Sequence, residues 1–96
     1  MYKCNQARLR QTIEDFSQFG ATKNAGVTRL SLSKEDILAR DYFKECCEAL
    51  GMSVKSDDMA NMYAILPGKK DLPPIVMGSH LDSVVKGGRF DGVLGV

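Results

Sequence analysis

Apolar residues recur at helical spacing near the start of the chain. Leu9, Ile13 and Phe16 fall on one face between about Asn5 and Phe19, with Arg8, Arg10, Glu14 and Asp15 on the others. This pattern predicts a first amphipathic helix, ended by Gly20, a residue favoured just past a helix C-terminus. Residues 21–32 show no such period and are expected to be irregular. The one arginine in that stretch, Arg29, is open to two readings: a solvated loop charge, or a structural or substrate-facing contact. Ser33 followed by Glu35 and Asp36 then makes a helix start, because the hydroxyl can cap free amides and the acids suit the positive end of the helix dipole. A second helix is expected to run to about Leu50 and stop at Gly51, with Ile37, Phe43, Cys46, Cys47 and Leu50 as its buried stripe.

After Gly51 the period changes. Residues 52–55 alternate like a short strand, Asp57 and Asp58 mark a turn, and residues 62–66 read as a second strand before Pro67 and Gly68. Lys69, Lys70 and Asp71 form a solvated loop tip. Pro73 and Pro74 force an extended entry into a third, fully buried strand built on Ile75, Val76 and Met77. Val93 to Val96 looks like the first turn of a further helix. Helix, helix, strand, strand, strand and the start of a helix together read as α/β, with no internal repeat, and 96 residues allow at most one small domain.

Charge changes the picture only by exclusion. Thirteen Lys and Arg against twelve Asp and Glu give a net charge of +1, spread along the chain with no basic stripe, so neither nucleic acid nor an anionic membrane is an expected partner. No stretch approaches the roughly 18 apolar residues of a membrane helix. The N-terminus, with Asn5, Gln6, Arg8 and Arg10, lacks the apolar core of a signal peptide, so the cytoplasm is the expected location. Three cysteines, two of them the adjacent Cys46 and Cys47, make no disulfide framework and are expected to pack as small apolar side chains.

The candidate chemistry lies in the last third. The third predicted strand delivers His80, the only histidine, to a polar, glycine-rich loop carrying Asp82 and Asp91. Asp82 is two residues on, so the two side chains are expected on the same side, with the carboxylate able to hold one ring nitrogen while the other binds a metal. The Gly87-Gly88 turn could return Asp91 to the same neighbourhood, and a carboxylate can bridge two ions. The plainer alternative is a hydrogen-bonded surface histidine beside turn-forming aspartates, since metal sites usually need at least three protein ligands. A phosphate loop at Lys86-Gly87-Gly88-Arg89 is disfavoured, because no lysine followed by Ser or Thr is present there.

Two blocks shift the balance. Gly78-Ser79-His80-Leu81-Asp82-Ser83-Val84 with Gly87-Gly88-Arg89-Phe90-Asp91-Gly92-Val93-Leu94-Gly95-Val96 closely resembles the metal-binding segment of the N-carbamoyl-L-amino acid hydrolase and allantoate amidohydrolase family, within the dinuclear zinc aminoacylase and carboxypeptidase-like group. Gly26-Val27-Thr28-Arg29-Leu30-Ser31-Leu32-Ser33, with Glu35-Asp36 and Ala39-Arg40-Asp41, resembles the stretch before that family's second helix. Phe16-Ser17, Phe19-Gly20 and Thr22 also fit, so the resemblance runs from about Leu9 to Val96. One departure is Ala60-Asn61, where the family usually has Gly-Asn.

The resemblance implies that His80 is a ligand of one metal, that Asp91 bridges a pair of divalent ions (zinc, or manganese or cobalt), and that Asp82 has a catalytic part by orienting His80. It implies no substrate-binding residue. Residues 1–96 would be the N-terminal part of a zinc-peptidase-like catalytic domain, two helices followed by three strands of a mixed sheet, cut at the start of the next helix. The parent enzyme would hydrolyse a linear amide or ureido C–N bond in an N-carbamoyl amino acid or a ureide, and would be a homodimer. Without the family's general base and later histidines, the 96 residues alone are expected to be inactive and to self-associate through the uncovered third strand. Two rivals are an aminopeptidase or aminoacylase with a similar metal segment, and a non-catalytic structural or interaction module.

Overall fold

The structure, a computed structural model, describes residues 2–96; Met1 lies outside them. Helix α1 spans Gln6–Ser17, its first turn capped by Asn5, whose Oδ1 accepts the Arg8 amide at 2.9 Å. Helix α2 spans Lys34–Ala49 and starts as expected, with the Asp36 amide donating to Ser33 Oγ at 3.2 Å. Gly51, at φ 83°, ends it. Strands β1 (Ser53–Ser56) and β2 (Met62–Ile65) pair antiparallel, Ser53 opposite Ile65 and Ser56 opposite Met62. Short 3-10 turns occur at Lys23–Ala25 and Val93–Gly95.

Two compact units divide these elements. The first takes the chain up to Ala39 together with Gly78–Val96; the second is Arg40–Met77. In the first, Phe16, Val27, Ala39 and Val93 are buried, and so are two charged residues, Arg29 and Asp36. Residues 26–30 run through it as a central thread, bonded on one side to the end of α1 and on the other to residues 83–87. The Thr28 amide donates to the Gly20 carbonyl at 2.8 Å, and Val27 and Gly87 exchange main-chain bonds of 2.9 and 2.8 Å. Gly20, at φ 88°, has no room for a Cβ, which would overlap the Thr28 carbonyl. In the second unit the β1–β2 hairpin turns through Asp57–Asn61, Cys47 is buried, and the Arg40 guanidinium donates to the Ala60 carbonyl at 2.6 Å.

Several expectations are corrected. Among the described residues the sheet has two antiparallel strands, not three in a mixed sheet. Residues 74–78 form no strand, and Ile75, Val76 and Met77 are exposed at 91, 78 and 86%. An apolar run becomes a strand only where a neighbouring chain supplies the ladder, and β1 and β2 pair with each other. The start of a helix at Val93 is a 3-10 turn, closed by the Val96 amide on the Val93 carbonyl at 3.1 Å. The stripe of α2 is also rotated from the one expected. Asp36, Ala39 and Cys47 are its buried positions, whereas Ile37 and Leu50 are 51 and 70% exposed. Cys46 is half-buried, while Cys4 is exposed rather than packed.

Candidate metal centre

His80 follows an extended stretch that carries no ladder, yet the pairing expected at its end is present. Its Nδ1 lies 3.0 Å from the main-chain carbonyl of Asp82 and 3.4 Å from the Asp82 carboxylate. A carbonyl oxygen can only accept, so in this contact Nδ1 is the donor, and in the neutral ring the lone pair then falls on Nε2. The two side chains stay about half exposed, at 52 and 42%. A metal-binding imidazole is commonly anchored through one ring nitrogen in this way and binds through the other.

The loop that follows closes on the histidine. Gly92, at φ 76°, sits so tightly against the ring that a Cβ there would lie 2.5 Å from Nδ1 and from the His80 carbonyl. A Cβ at Gly95 would come 3.0 Å from that of Ser79. The 3-10 turn thus returns the chain to His80, and Asp91, beside Gly92, is exposed there. No described hydrogen bond or ion pair joins Asp91 to His80. Among the described residues, no group of three or more His, Cys, Asp or Glu side chains is placed to hold a metal. The donor chemistry of His80 and Asp91 suits a divalent ion, but these residues do not by themselves complete a coordination sphere. Two shallow hollows, of about 300 and 350 Å³, lie elsewhere on this unit and include neither residue.

Arg29, left open between a solvated and a structural role, is buried at 1% exposure. Its Nε donates to the Leu81 carbonyl at 2.8 Å, and one terminal nitrogen donates to the carbonyls of Phe16 and Phe19 at 2.7 and 2.8 Å. Its own amide donates to Ser83 Oγ at 2.9 Å, and its carbonyl accepts from the Ser83 amide at 2.7 Å. Burial lowers the guanidinium pKa, opposed by the negative charges of Asp36 and Asp82. Hydrogen bonds to a charged group contribute about 1.5–3 kcal/mol each, so this cluster is a main tie between the end of α1 and residues 81–83. The signal available from sequence was a lone arginine within an otherwise uncharged run from Ala25 to Ser33.

No protein-family model matches the chain. It is 43% identical over 93 residues to an N-carbamoyl-L-amino-acid amidohydrolase of Pseudomonas sp. (strain NS671), covering 96% of this chain and 22% of that protein. It is 36% identical over 85 residues to the allantoate amidohydrolase of Bacillus subtilis (strain 168), covering 88% of this chain and 21% of the relative. A solved hydantoinase/carbamoylase family amidase from Burkholderia ambifaria superposes with a TM-score of 0.92 at 42% identity, over 96% of this chain and 23% of that one. The resemblance read from the two sequence blocks is therefore shown along nearly the whole chain. The chain spans about a fifth of the length of the curated relatives it matches.

Proposed function

We propose that residues 1–96 are part of the catalytic domain of a metal-dependent amidohydrolase that cleaves a linear amide or ureido C–N bond, with an N-carbamoyl-L-amino acid or a ureide such as allantoate as substrate. The observation that carries this function is the similarity of nearly the whole chain to amidohydrolases of that kind. The site is compatible with it. His80 offers Nε2 to a divalent ion because Asp82 holds the hydrogen on Nδ1. Asp91 is the second donor, brought towards His80 by the close seat of Gly92. Zinc, or manganese or cobalt, when bound as a pair in such a centre, polarises the substrate carbonyl and makes a water acidic enough to act as nucleophile. The complete enzyme is proposed to be a cytoplasmic homodimer.

Ammonia and amino acid release by the intact protein from N-carbamoyl amino acids and from allantoate tests the proposal. Release that stops on chelation, returns with zinc or manganese and is lost in His80→Ala is expected. An intact, metal-loaded protein that releases nothing from either substrate class would contradict it.

A further inference from the structure

We infer that Arg29 is a positioning residue for the His80–Asp82 pair: its buried guanidinium fixes the Leu81 carbonyl and so the peptide that separates the two side chains. This role rests on the metal-holding role proposed for His80, but its geometry is independent of any metal. Nε of Arg29 holds Leu81 from one edge of the guanidinium, while a terminal nitrogen on another holds the two carbonyls at the end of α1. The main chain of Arg29 meanwhile pairs with Ser83 through two bonds. Residues 81 and 83 are both fastened to Arg29, one on each side of Asp82.

Asp82 therefore has little freedom to turn its carbonyl or carboxylate away from Nδ1 of His80. Arg29 and the Asp82 charge also attract each other. The planar fork is needed because the acceptors lie on different edges of the side chain; a lysine ammonium is a single point of donation on a flexible stem. Release of the Leu81 carbonyl would loosen the Asp82 hold on Nδ1, and the imidazole would then sample both tautomers.

The experiment uses the intact protein and two variants, Arg29→Met and Arg29→Lys. The 15N shifts of the His80 ring, assigned by their loss in His80→Gln, are recorded without metal at a pH where the imidazole is neutral. Zinc affinity is measured in parallel by chelator competition. The wild type is expected to show one tautomer, with hydrogen on Nδ1. Folded Arg29 variants are expected to show a mixture and to bind zinc about 10- to 100-fold more weakly, the effect typical of groups that orient a ligand. A folded variant with wild-type ring shifts and wild-type zinc affinity would overturn the role. Should Arg29→Met fail to fold, Arg29→Lys, which keeps the buried cation, decides the matter. Should the wild type bind no zinc through His80, the metal-holding role falls, while the ring shifts still decide the role of Arg29.

Discussion

Asp82 meets His80 twice at one nitrogen, through its main-chain carbonyl at 3.0 Å and through its carboxylate at 3.4 Å. The carbonyl survives any side-chain substitution. Asp82→Asn should therefore leave the tautomer in place while removing a negative charge that makes the ring a stronger donor. Zinc affinity of the intact protein should fall by about 10-fold, the lower end of the range for such partners. Isothermal titration of the two proteins checks this, and equal affinities would show the carboxylate to be idle.

Gly92 has a positive φ, with its backbone against the imidazole. At φ 76° and ψ −51°, outside the left-handed helical well, Gly92→Ala adds backbone strain of about 1–3 kcal/mol, and the new methyl group overlaps the ring. A lower thermal midpoint is expected together with weaker zinc binding. Loss of stability with unchanged zinc affinity would mean that the ring had moved without consequence for the site.

Ala60 is also left-handed, at φ 63°, in the turn between β1 and β2. This is the position where the resembling family usually carries glycine, and the structure gives the physical reason. Relief of the left-handed penalty, less the extra freedom glycine gains when unfolded, should make Ala60→Gly more stable by about 0.5–1 kcal/mol. Urea denaturation checks the sign.

The same turn is held by Asp57, whose carboxylate accepts from the Met59 and Asn61 amides, the Asn61 side chain and the Tyr63 hydroxyl. The Asn61 side-chain bond is the largest cause of its lowered pKa. A depressed carboxylate stabilises the fold above its unfolded value of about 3.9 and loses that contribution as the pH falls through the lower folded value. The protection factors of the Met59 and Asn61 amides, with the intrinsic pH dependence of exchange taken out, should accordingly fall below about pH 4, and should be low at every pH in Asp57→Ala.

Much of this is legible in the sequence. Leu9, Ile13 and Phe16 marked α1, and Ser33, Glu35 and Asp36 marked the start of α2, because capping and periodicity are local properties. The two blocks containing Arg29 and His80 disclosed the amidohydrolase resemblance. What stayed hidden depends on distant partners. Ile75 to Met77 looked like a buried strand because apolar content does not say whether a ladder is available. Ile37 looked buried because hydropathy alone sets the stripe of α2 one residue away from Asp36. Arg29 could not be assigned a role, since its acceptors lie 10 to 52 residues away in sequence.

The measurement that bears most directly on the proposed metal centre is the zinc affinity of the intact protein beside that of His80→Ala. A wild type that binds zinc tightly and a folded His80→Ala that loses more affinity than the roughly 10- to 100-fold of an orienting partner would establish His80 as a ligand. Equal affinity in the two proteins, or no zinc bound by either, would contradict it and leave His80 and Asp82 as a hydrogen-bonded pair on the surface.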